Sequence, residues 1–397
     1  MPPTHAPVAA ELLPGIESHP HARAVLLAAL SPVGAPSHSY LFHGPPGAGK
    51  RTAARAFAAA LLAEGARAPA TVRERVARGA HPDLTWVTPS GASELLVSDI
   101  DEPVVAAVAH TPFESTRRVF VIEAAGTMND QAANRLLKTL EEPPSFAHLI
   151  LLAERPADVL PTIASRCQLV RFDALASELV QQRLIEGADA EAASVGEGAG
   201  EPLSPERAAA CARLAAGDVR LARLLAGERG VALRVWAEGF LDDALAARPD
   251  RERRGVLLQS AQVAGADAGA RHSEWLRERG ELLPSKERRR FERDGADAVR
   301  RAERRARVST LDLGLRLAEL WLRDVWCVAC GVPELAYALD RAEQLAAHAH
   351  GRDAGALLRG VELVRDTRLR LALNVSEELA LEALAYRLTD LLGSEAG

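Results

Sequence analysis

The run Gly44-Pro45-Pro46-Gly47-Ala48-Gly49-Lys50-Arg51-Thr52 has the composition of a phosphate-binding loop. It follows the strand-like SYLF and precedes the helical AARAFAAALLA, the context in which backbone N–H groups cradle phosphates and a lysine reaches the β/γ oxygens. Gly44, Gly47, Gly49, Lys50 and Thr52 are therefore the candidate ATP- or ADP-binding residues. Of the 48 basic residues only three are lysine (Lys50, Lys138, Lys286), so a lysine in this slot is a chemical choice. Two departures bear on the metal. The residue after the lysine should offer a hydroxyl to Mg²⁺ but is Arg51, and Thr52 lies roughly 100° further round a helix. The strand VFVI ends in Glu123-Ala124, where a hydrolytic site has Asp for the metal shell and Glu for water. These residues predict a loop that holds ATP or ADP without hydrolysing it, with no metal; the competing reading is an ATPase with an unusual metal shell.

Four apolar runs of strand character (SYLF, DLTWV, RRVFVI, HLILLA) alternate with helical stretches from Ser37 to Arg171, predicting an α/β domain with a largely parallel sheet over residues 1–173. Residues 174–229 read as short helices interrupted by a Gly/Ala/Glu-rich insertion at 186–202, which predicts a small lid with a flexible segment. From 230 to 397 the pattern is helical throughout. Asn374 and Glu377 have capping-box spacing before a last helix whose Leu381, Leu384, Leu388 and Leu391 share one face.

With 397 residues, 48% apolar side chains and a net charge of −6, the chain has ample core for two or three domains and no global nucleic-acid footprint. Four scattered cysteines (Cys167, Cys211, Cys327, Cys330) exclude a disulfide framework. Together with the lack of a signal peptide or membrane-length apolar run, they predict a cytoplasmic protein without membrane contact. Cys327 and Cys330 form a lone pair within LAELWLRDVWCVACGV and are expected on a core face rather than at zinc. The run Lys286–Arg307 holds ten basic and five acidic residues, a solvated helix with i,i+4 ion pairs or a contact for DNA or a partner. Its lone aromatic, Phe291, is too little for base stacking.

The run NDQAANRLLKTLEEPP (129–144) is followed, after HLILLA, by LPTIASRC (160–167). From spacing alone, Arg166 is either half of a surface salt bridge or an arginine that projects into a neighbour's site. LLKTLEEPP, the Ser165-Arg166-Cys167 triplet and the preceding loop together resemble the bacterial clamp-loader branch of the AAA+ family. The resemblance covers residues 15–172 well and is weaker over Ala215–Leu225, where Arg220 takes the sensor-2 arginine position. It implies an α/β P-loop AAA+ domain with parallel sheet, followed by a small helical lid and an all-α C-terminal collar domain. It also implies that Arg166 acts in trans on the ATP site of an adjacent subunit, with gamma/tau and delta subunits as partners and the sliding clamp and primed DNA reached through the complex. Motor-type gamma/tau subunits keep an intact loop and Asp-Glu pair. Arg51, Glu123-Ala124 and the sensor-1 segment Leu152-Ala153-Glu154, where motor subunits have a polar Thr or Asn, resemble the subunits that do not. Many relatives carry a four-cysteine zinc module before a His-Pro-Asp segment; His81-Pro82-Asp83 is present here, but residues 53–80 hold no cysteine.

Overall fold

The computed structural model describes residues 13–31, 34–89, 94–187, 203–248, 250–281, 285–371 and 375–393, with side chains of 278–294 excluded. The chain divides into two compact units, Met1–Leu175 and Ala176–Gly397.

The first unit is built on five parallel strands, β1 (Ser39–His43), β2 (Leu84–Val87), β3 (Arg118–Ile122), β4 (Ala147–Ala153) and β5 (Gln168–Arg171), in the spatial order β2-β3-β4-β1-β5. Every residue of β3 and β4 is buried, because a parallel sheet is covered on both faces and so reads as a continuous apolar run. The two-residue period then sorts side chains between two cores. Tyr40, Phe42, Val119, Val121, Ile150 and Leu152 point to one side, where they meet Phe57 and Leu61. Leu41, Phe120, Ile122, Leu149 and Leu151 point to the other, against Leu136 and Leu140.

On the first of these faces lie α1 (Pro20–Ala29) and α2 (Lys50–Ala63), and α3 (Pro69–Ala77) packs on α2; α4 (Asp130–Glu141) covers the opposite face. Ala53, Ala54 and Ala58 on α2 let it approach the sheet closely, while Asn129 caps α4 by accepting the Ala132 N–H at 2.9 Å. Four strands were legible as apolar runs. The fifth, β5, was not: it lies at the sheet edge with only Val170 buried, so its sequence alternates too weakly to stand out.

His148 on β4 is buried, with Nδ1 2.9 Å from the Ser37 carbonyl and its ring stacked on His38. Burial pushes its pKa down to about 4, so the folded state holds it neutral. The unfolded chain takes up that proton first, so the stability tied to neutral His148 is complete above about pH 6.5 and is lost as pH falls towards 4. The loss from this residue is expected to reach about 2 kcal/mol by pH 5. Hydrogen exchange of β4 amides at pH 7 and pH 5 checks this, and a His148→Gln variant should lack that increment.

The second unit is helical: α5 (Ser177–Ile185), α6 (Pro205–Ala215), α7 (Val219–Ala226), α8 (Glu228–Leu245), α9 (Arg251–Glu281), α10 (Ser285–Ala329), α11 (Ala342–Ala349), α12 (Ala354–Leu371) and α13 (Glu377–Gly393). Residues 188–202, most of the expected insertion, lie outside the described residues. Helices α9 and α10 pack along each other, and α10 also packs on α8 and α12. Ion pairs stitch α10 to α12, with Arg368 joining Asp312 (2.9 Å) and Glu319 (2.6 Å) and Arg365 joining Glu319 (2.8 Å). Asp324, fully buried, accepts the amides of Tyr337 (2.9 Å) and Ala338 (2.8 Å). Among the described side chains of the basic run, Arg300 pairs with Asp297 one turn away and Arg307 with Glu377 of α13; Phe291 is among the side chains not described.

Three sequence expectations are corrected here. The last helix begins at Glu377, and Ser376 rather than Asn374 caps it, accepting the Leu379 N–H at 3.5 Å; Asn374 lies outside the described residues. Its buried face is Leu381, Leu384, Leu388 and Leu392, with Leu391 only half buried, since eleven residues complete three helical turns more closely than ten do. Cys327 is in the core but Cys330, past the end of α10, is exposed.

Candidate functional site

The Gly-rich loop expected to bind phosphate joins β1 to α2, and its three glycines supply the backbone geometry that other residues resist. Gly44, Gly47 and Gly49 have φ of 148°, 71° and 83°. At Gly44 space is also decisive: a Cβ there would stand 2.0 Å from the Phe172 carbonyl oxygen, while the Gly44 amide donates to the Glu154 carbonyl at 2.9 Å. The loop is thus wedged between the ends of β4 and β5. Helix α2 starts with Gly49 as its cap and no side chain on its first amides; the Ala53 N–H is bonded back to the Gly49 carbonyl. The first-turn amides and the helix dipole are directed at the loop, as an anion requires. Lys50 folds its ammonium onto the loop itself, donating to the Gly44 and Pro45 carbonyls, the latter at 2.7 Å. Thr52 is exposed on the first turn.

At the two positions where a hydrolytic phosphate loop would hold a metal stands an ion pair. Arg51 Nε lies 2.8 Å from Glu123 Oε1, and the Trp86 indole N–H donates to the same oxygen. The Arg55 guanidinium sits 4.9 Å above the Trp86 ring and helps hold it. Ala124, which follows Glu123, has φ of 52° and offers no side-chain oxygen. In the sensor-1 segment, Leu152 and Ala153 are buried and the Glu154 side chain is exposed.

Arg166 lies apart from the loop's hydrogen bonds, after the short helix Pro161–Ala164. One guanidinium nitrogen donates to Glu141 Oε1 at 2.7 Å and another to the Thr162 carbonyl at 2.8 Å. The pair is open to solvent, with side chains 36% and 49% exposed. Its partner belongs to LLKTLEEPP, so the two sequence signatures meet in space. Burial pushes the thiol of neighbouring Cys167 up to about 12. Arg220 belongs to the second unit, on the first turn of α7, where Asp218 caps its amide (2.9 Å) and its side chain is exposed.

The His81-Pro82-Asp83 segment has a role that sequence reasoning missed. The Asp83 carboxylate, fully buried, accepts the amides of Phe113 (2.6 Å), Glu114 (3.0 Å) and Ser115 (2.9 Å). His81 Nδ1 accepts the Asp83 amide at 3.2 Å, which leaves its proton on Nε2, 3.0 Å from Glu114 Oε1; burial lowers its pKa. The segment fixes the turn leading into β3. An aspartate immediately before a strand was the available signal.

The sequence pattern of the family described as "DNA polymerase III, delta subunit" matches residues 21–176. The chain is 40% identical over 136 residues to DNA polymerase III subunit delta' of Pseudomonas aeruginosa, covering 33% of this chain and 42% of that one. It is 38% identical over 156 residues to the Bacillus subtilis subunit delta' (38% and 46% covered), and 35% identical over 173 residues to B. subtilis subunit tau (42% and 30%). The match therefore spans less than half the length of these relatives. A solved Thermotoga maritima DNA polymerase III gamma subunit-related protein overlays 94% of the chain and 98% of its own length, at 16% identity and a TM-score of 0.42.

Proposed function

We propose, from the match of residues 21–176 to the family described as "DNA polymerase III, delta subunit" and from the likeness to delta' subunits, that the chain serves as the delta prime subunit of the bacterial clamp loader. Its work is done in trans. Arg166 supplies a guanidinium to the ATP site of an adjacent gamma/tau subunit, where it neutralises charge on the transferring phosphoryl group. The observation that carries this reading is the solvent-open position of Arg166, paired with Glu141 and the Thr162 carbonyl, in a chain whose own loop lacks hydrolytic parts. Exposed pairs of this kind contribute about 0–1 kcal/mol, so exchanging Glu141 for a triphosphate costs little.

The home loop holds ATP or ADP through Gly44, Gly47, Gly49, Lys50 and Thr52, and does not cleave it. Glu123 is engaged by Arg51 and Trp86, and Ala124 cannot activate water. No zinc is needed. Gamma/tau and delta are the direct partners, the helical C-terminal residues serve as the assembly collar, and the complex places the sliding clamp on primed DNA in the cytoplasm during replication.

ATP turnover by the chain alone tests the non-hydrolysing reading. It should be at background. Turnover that Lys50→Ala abolishes would replace this account with that of a gamma/tau-like motor.

A further inference from the structure

Positions 51 and 123 are where a phosphate loop ordinarily gathers a divalent cation, through a hydroxyl after the lysine and a carboxylate at the end of the neighbouring strand. Here the two positions are bridged to each other, Arg51 Nε to Glu123 Oε1 at 2.8 Å. We propose that the Arg51 guanidinium is a built-in replacement for the divalent cation, so that the loop takes a nucleoside di- or triphosphate without metal.

Magnesium does not fit these residues. It demands near-octahedral oxygen ligands at about 2.0–2.1 Å, and a guanidinium offers only donors and a like charge. Glu123 cannot turn away to serve a metal without abandoning both Arg51 and the Trp86 indole, which in turn lies beneath Arg55. A fixed cation does fit. The guanidinium is always protonated, and Glu123, 16% exposed, holds it from the protein side. The Arg51 side chain remains 45% exposed on the first turn of α2, open to an anion beside Lys50 and the first-turn amides. Arg51 and Glu123 therefore complement each other: arginine alone would face a carboxylate-bound metal, and glutamate alone would lack its cation.

This inference rests on reading residues 44–52 as a phosphate cradle and is independent of Arg166. The test is equilibrium binding of ADP to the full chain, by calorimetry, in EDTA and in excess magnesium. Wild type and Arg51→Lys should bind with affinities that agree within about twofold between the two conditions. Arg51→Ser, which returns a hydroxyl to the position, should bind at least about tenfold more tightly with magnesium than without. A wild-type affinity that depends on magnesium overturns the proposal while leaving the cradle intact. An Arg51→Ser variant indifferent to magnesium overturns it as well. Failure of wild type to bind ADP in either condition overturns both the replacement and the cradle, and leaves the trans role of Arg166 standing.

Discussion

Arg166→Ala is expected to lower ATP turnover at the site it serves by a factor on the order of 10³, the lower end of what an arginine finger contributes in GTPases. In a ring with several sites the bulk rate falls less, because the sites not served by Arg166 continue to turn over. The chain itself should be undisturbed. The Arg166–Glu141 pair is solvent-open, and losing it removes about 1 kcal/mol at most. Assembly with gamma/tau and delta should therefore survive in the same preparation that loses turnover. Arg166→Lys should recover little, because an ammonium keeps the charge but not the planar fork that engages two phosphoryl oxygens. Steady-state turnover of the reconstituted complex, with size-exclusion chromatography as the assembly control, reads both effects.

The largest expected effect on stability is at Asp83. Its carboxylate collects three backbone amides around the Phe113–Ser115 turn and is shielded from water, so Asp83→Ala strands three donors at once. A hydrogen bond to a charged group contributes about 1.5–3 kcal/mol, and some of that is recovered here as water reaches the partly exposed amides of the turn. A net loss of about 3–5 kcal/mol follows. Asp83→Asn should fall between, since an amide keeps one acceptor oxygen and adds donors with no acceptor facing them. A chain of two units need not unfold in a single transition, so the effect is best read by hydrogen exchange. Amides of β2 and β3 should exchange faster in the variant, while those of α12 in the other unit should not change.

The Gly-rich loop between a strand and a helix was legible because its residue types and spacing stand out in the sequence, and the structure places it between β1 and α2 with positive φ at Gly44, Gly47 and Gly49. The parallel sheet was legible for a similar reason, since strands covered on both faces spell continuous apolar runs. Where one side of an element is wet, the pattern weakened: β5 at the sheet edge went unnoticed, and the last helix was capped two residues early. Long-range pairing was harder still. Arg51 and Glu123 each stood out as a departure from a metal site, yet they are 72 positions apart in sequence and their contact required the fold. Their opposite charges at two positions meant for the same ion were the clue. Asp83 had no such clue beyond its place before a strand, because its partners are backbone amides and carry no mark in the sequence.

The central claim is that the chain's chemistry takes place in a neighbour's site and not at its own phosphate loop. The most direct measurement compares ATP turnover by two reconstituted complexes that differ from wild type at one residue of this chain, Lys50→Ala in one and Arg166→Ala in the other. The account predicts that the Lys50 complex turns over ATP at the wild-type rate and that the Arg166 complex loses the turnover of the site it serves. A complex disabled by Lys50→Ala and unaffected by Arg166→Ala would contradict it.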